Sequence, residues 1–169
     1  MAAGDCKIAY GTSTDLNVTN LHDLATSATW VAGWESPTID NTANLYLDYL
    51  ISGLICALHD VASTIGEVRI YVVPMIADDV WPDVFDGTQS VETWTTAGHR
   101  DAVAVLGAVI INAVTPDAVY PFGPFSVASL FGGVCPPKFC IFVTHSMVQT
   151  LDHAGNIVTY QGVYNTIAS

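Results

Sequence analysis

"NLYLDYLISGLICALHD", Asn44 to Asp60, decides the fold. Read as a helix, Leu47, Leu50, Ile51, Leu54, Ile55 and Leu58 form an apolar stripe. Read with period two, Leu45, Leu47, Tyr49, Ile51 and Ile55 share one face of a strand. Gly53 in the middle disfavours a helix by about 1 kcal/mol relative to alanine. Pattern alone leaves both readings open, the helix slightly ahead. The flanking sequence has to decide between a mixed fold and an all-β one.

On the C-terminal side, "GEVRIYVVPMI" (Gly66 to Ile76) is the clearest strand. Val68, Ile70, Val72 and Ile76 lie on one face, Arg69, Tyr71, Val73 and Met75 on the other. Pro74 cannot donate to a ladder, so that end is expected at an edge or bulge. "VETWTT" alternates as a short strand, and "KFCIFVTHS" and "IVTYQGVYNTI" read as two longer ones, with turn chemistry in "LDHAGN" between them. "AVAVLGAVIINAV" (Ala102 to Val114) is apolar throughout and is expected as a strand buried on both faces. "FSVASLFGG" (Phe125 to Gly133) suits one short helix closed by two glycines.

On the N-terminal side, "SATWVAGWESP" reads as a strand with Thr29, Val31 and Gly33 opposite Trp30, Ala32 and Trp34. Residues 1–25 are rich in Thr, Asn and Asp with little periodicity, and are expected as an irregular N-terminal arm. Residues 26–169 are expected to form one β-sandwich domain. Seven or eight strands that do not alternate with helices point to an all-β, antiparallel sandwich of jelly-roll type with one or two short helical turns.

Composition narrows function. Four basic residues face sixteen acids, giving a formal net charge of −12. That argues against nucleic acid and against anionic membrane surfaces as partners. No apolar run reaches the length of a membrane helix, and "MAAGDCKIAY" has no apolar core of a secretory signal. Only 12% of residues are charged, so apolar surface is expected to be covered by other subunits. Cys6, Cys56, Cys135 and Cys140 match no zinc or redox spacing and read as buried, reduced thiols of a protein made in a cytoplasm.

Candidate chemistry centres on "ADDVWPDVFDG", Ala77 to Gly87, with four aspartates in nine residues. Asp79, Asp83 and Asp86 form a candidate cation site, since clustered carboxylates beside Gly87 offer hard oxygen ligands. Their spacing departs from the twelve-residue calcium loop. The alternative is a subunit contact, with Trp81, Val84 and Phe85 as apolar anchors inside an acidic rim. Catalysis has weaker support. The three glutamates, Glu35, Glu67 and Glu92, make no clean glycosidase pair on one strand. There is no G-x-S-x-G, and His145-Ser146 and Asp152-His153 only supply residue types that any such chain contains. His145, ending an apolar strand, is expected as a hydrogen-bonded histidine near the core edge. Trp30, Trp34, Trp81 and Trp94 leave a sugar-stacking platform as a further reading. The expectation is a non-enzyme with no cofactor.

Several segments together carry a resemblance. "WESPTIDNTANLYLDYL" (Trp34 to Leu50), "IYVVPM" followed by "WPDVFDGT", "YPFGPFSVASLFGGVCPPKF" (Tyr120 to Phe139) and "YQGVYNTIA" (Tyr160 to Ala168) resemble, in that order, a family of small virion proteins of tailed bacteriophages. The resemblance implies a capsid decoration (cement) protein that binds the major capsid protein, as a homotrimer, in a virion made in a bacterial cytoplasm. It also implies that the stretch after "NLYLD" is a strand, Leu45 to Leu58. A jelly-roll carbohydrate-binding module, or a tail-associated protein that recognises host-surface glycans, is the alternative. In a decoration protein, residues 1–25 would be the segment that reaches a neighbour or the capsid floor.

Overall fold

The computed structural model describes residues 5–57, 66–111, 115 and 118–167. Leu58, His59 and Asp60 lie outside the described residues, as do 112–114 of the long apolar run and residues 1–4 and 168–169 at the two ends. Eleven strands are found among the described residues: β1 (Cys6–Tyr10), β2 (Thr14–Asp15), β3 (Ala32–Glu35), β4 (Ile39–Asp40), β5 (Asp48–Cys56), β6 (Glu67–Pro74), β7 (Ser90–Thr93), β8 (Val105–Ile111), β9 (Val119–Ser126), β10 (Lys138–His145) and β11 (Ile157–Ile167). Two short helices, α1 (Ala97–Val103) and α2 (Val127–Leu130), join them.

The strands form two antiparallel sheets. The first runs β1-β11-β5-β9, with β2 also on β11; the second runs β7-β3-β10-β6-β8, with β4 on β10. Of the eight main strands, β1, β5, β9 and β11 belong to the first sheet and β3, β6, β8 and β10 to the second. The chain changes sheet at every step except β6 to β8. That alternation is the jelly roll, with β7 added at one edge.

The segment that decides the fold is a strand, β5, from Asp48 to Cys56. Long-range pairing overrides its helical stripe: Asp48 to Leu54 pair with Val163 to Ile157 of β11, and β9 closes the other side. Gly53 has a packing reason as well. A side chain there would collide with the Phe122 ring and the Ile157 carbonyl.

Between the sheets lies one core. Tyr49, Ile51, Ile55 and Val158 from the first sheet meet Trp34, Ile70, Val72, Phe139, Ile141 and Val143 from the second. Each such side chain contributes about 1.5–3 kcal/mol on burial. His145 is fully buried at the end of β10, its Nε2–H donating to the Leu24 carbonyl at 2.8 Å.

Three expectations are corrected. Residues 5–25 are not an irregular arm: β1 pairs with β11 over five positions, β2 adds two more, and Leu16, Leu21 and Leu24 enter the core. Their partners lie about 150 residues away, so no local periodicity announces them. The apolar run from Ala102 is not one strand buried on both faces. Its first two residues end α1, and β8 is an edge strand with Leu106, Val109 and Ile111 exposed. The doubly buried strand is β10, in the middle of the second sheet. Finally, the strand expected over residues 27–37 shrinks to Ala32–Glu35, because Trp30 turns the chain with a positive φ of 61°.

Candidate interaction surfaces

Alternation along β10, β6 and β3 gives the second sheet an outer face of Cys140, Phe142, Tyr71, Val73 and Glu35. Such a face needs a cover, and residues 76–104 supply it as a flap. Phe85 is the anchor. Its ring lies 4.5 Å from Trp94 and 5.5 Å from Phe142, and only 5% of Phe85 is exposed.

Polar contacts fix the flap at three places. The Glu35 carboxylate accepts a hydrogen bond from Gly87 N at 2.7 Å. Thr38 donates from both its N–H and its hydroxyl to the Gly87 carbonyl, each at 2.9 Å. Gly87 stands at a φ of 77°, in the left-handed region that favours glycine. The third fastening is Arg100 of α1. Nearly buried, it donates through Nη1 to the Trp30 carbonyl at 2.8 Å and through Nη2 to Asp101 at 2.6 Å. Its guanidinium lies 5.5 Å from the Tyr71 ring centre.

The aspartates are dispersed over this flap. Asp83 accepts from the Thr95 N–H at 2.7 Å and the Thr95 hydroxyl at 2.6 Å, with His99 at 3.4 Å. Desolvation raises its carboxyl, but those hydrogen bonds outweigh it and hold it below the usual range. Asp86 accepts from Thr88 N, and Asp79 faces Lys138 at 3.9 Å with almost its whole side chain in solvent. Asp79, Asp83 and Asp86 thus serve separate contacts, and no cluster of three or more metal-ligating side chains occurs among the described residues.

The expected subunit contacts divide. Phe85 is corrected: it belongs to the chain's own core, because the exposed aromatic face of β6 and β10 needs it there. Trp81 packs at the margin of the same cluster, and Val84 is exposed. An open cleft of about 170 Å³ separates the loop from α1, lined by Ile76, Pro82, Trp94, Ala102 and Val103 with Asp83 and His99 at its edge.

Sequence reading missed Glu35. It is fully buried, its Oε2 has no partner, and Cys140 lies beside it. Burial is the main cause that pushes its carboxyl up to about 7; the Gly87 N–H opposes, and the negative Asp86 and Glu92 add to the rise. The only advance signal was a glutamate inside an apolar strand.

Among the described residues, the first sheet has no such cover. Register places Ile8 and Tyr10 of β1, Leu50 and Leu54 of β5, Val119 of β9, and Ile157, Val163 and Ile167 of β11 on its outer face. Ile8 is 64% exposed, Tyr10 59% and Ile167 72%. Thr159, Ser52, Gln161 and Asn165 fill the rest. Two charged residues share this register. Asp48 is tied to the Tyr49 and Ala128 N–H groups, and Asp15 stands at the end of the face.

Trp34 and Trp94 are buried and Trp30 stacks on Arg69 at 4.0 Å, so the tryptophans do not form a sugar platform. All four cysteines are free; Cys56 and Cys140 are buried as expected, Cys135 is half-buried, and Cys6 is exposed on the edge strand β1. Among the described residues, no helix is long and apolar enough to cross a membrane. No protein-family model matches the chain, and no curated protein matches it either.

Proposed function

We propose that this chain is a structural virion protein that decorates and stabilises the capsid of a tailed bacteriophage by binding its major capsid protein. One observation carries the reading: in a chain of net charge −12, one sheet face carries the exposed apolar side chains Ile8, Tyr10, Val119, Ile157 and Ile167 on either side of a polar belt, with no covering segment among the described residues. Exposed apolar side chains gathered on one face mark assembly surfaces. The jelly roll supports it, since capsid proteins use this architecture, though lectins and cupins do too.

A cement protein stabilises by mass action. It binds the assembled shell and not the loosened one, so each occupied site shifts the balance toward the closed lattice. Residues 6–16 are tied into the first sheet, so the lattice contact is assigned to sheet faces and loops and not to a free arm.

Co-sedimentation tests the proposal. The purified chain, mixed with undecorated shells of the phage that encodes it, is expected to pellet with them at a saturating ratio. Failure to bind shells at micromolar concentration contradicts it.

A further inference from the structure

We propose that the outer face of the first sheet is the surface through which two copies of this chain associate, face to face. The inference uses the same face that supports the virion reading, and sedimentation of the isolated chain tests it separately from binding to shells.

The first ground is what the face contains. Ile8, Tyr10, Leu54, Ile157, Val163 and Ile167 lie across three adjacent strands with hydroxyl and amide side chains between them. Such a surface is self-complementary, as a two-fold contact requires, because the same patch must satisfy itself. At the strand and residue spacings of a pleated sheet, strands of these lengths present roughly 500 Å². Two copies would bury about 1,000 Å², the lower edge of a specific interface, which fits a contact formed at micromolar concentration.

The second ground selects a second copy over another partner. Every copy carries −12, so self-association has to keep the acids apart. Asp78, Asp79, Asp83 and Asp86 sit on the flap, on the far side of the sandwich from this face. Sheets pack about 10 Å apart, so two copies joined here hold their flaps at least roughly 30 Å from each other. That is several times the screening length of about 8 Å at physiological salt. Docking through the flap would instead set the two acidic loops against one another. A basic partner would be drawn first to the flap, where four aspartates gather, because the acids of this face are only Asp15 and the hydrogen-bonded Asp48.

Isologous contacts close pairs, so the geometry points to a dimer where the resemblance implied a trimer. Sedimentation velocity on the full chain tests it, with circular dichroism to verify folding. Wild type is expected at twice the monomer mass in the micromolar range, with little dependence on salt. Ile8→Glu, on an exposed edge position, and Val163→Glu, at the centre of the face, are each expected to weaken association at least about tenfold. Val84→Glu, at the flap, should leave it unchanged. A monodisperse monomer, a trimer, or a dimer indifferent to Ile8→Glu overturns the proposal, and Ile8→Glu decides it even where Val163→Glu fails to fold.

Discussion

The Glu35 carboxylate receives the Gly87 N–H at 2.7 Å, joining β3 to the end of an aspartate-rich loop 52 residues further along. One carboxylate oxygen is used; the other is buried without a partner. The contact holds the flap over Phe142 and Cys140, and it makes the flap sensitive to proton concentration.

Stability is therefore expected to fall as the solution turns alkaline. Glu35 has a folded-state value of about 7 against an ordinary 4.5, so the native state holds the proton more tightly. The resulting stabilisation is complete below about 4.5 and is lost as pH rises through about 7. Glu35→Gln keeps an acceptor for Gly87 and removes the titration. In urea melts the variant should match wild type near pH 5 and exceed it by about 1–2 kcal/mol near pH 8. His145 acts with the opposite sign. Burial depresses it below its ordinary 6.5, so its contribution is lost as pH falls through that depressed value. This acid limb should persist in Glu35→Gln.

Phe85→Ala should destabilise the fold by about 3–5 kcal/mol, because the ring fills the contact between Trp94 and Phe142. Val84→Ala, next to it but exposed, should cost less than about 0.5 kcal/mol. Equal effects in chemical denaturation would mean that the flap is not anchored by Phe85.

Gly87 and Gly132 both have positive φ, at 77° and 71°. Alanine at either incurs about 1 kcal/mol of backbone strain. At Gly87 the added carbon would also overlap Thr38 Oγ1 and the Trp81 ring, whereas nothing lies near Gly132. Gly87→Ala should lower Tm clearly more than Gly132→Ala, and the difference measures how closely the flap sits on its base.

Calcium should leave the thermal transition where it is. Asp83 is bonded to Thr95 and Asp86 to Thr88, and Asp79 stands alone beside Lys138. A rise in Tm with millimolar calcium would show that the loop rearranges around the ion.

Much of the fold was legible where pairing and periodicity agree. β6, β7, β10 and β11 follow their alternation, and α2 begins at Ser126, whose hydroxyl accepts from Ser129 N, and ends before Gly132 and Gly133. The rest depends on contacts remote in sequence. β5 looks helical until β11 and β9 flank it. β1 is short, buries almost nothing and pairs with the far end of the chain, and Phe85 reads as a surface aromatic until the face of Phe142 and Tyr71 is seen to lack a cover. The acids drew attention because they cluster in sequence, yet the fold disperses them. The uncovered sheet face was invisible because its members come from four strands spread between Ile8 and Ile167.

Imaging of the intact particle tests the central claim most directly. A reconstruction of virions of the encoding phage is expected to place this jelly roll on the shell in contact with the major capsid protein. Density for the chain that is absent from the shell, or confined to the tail, would contradict it.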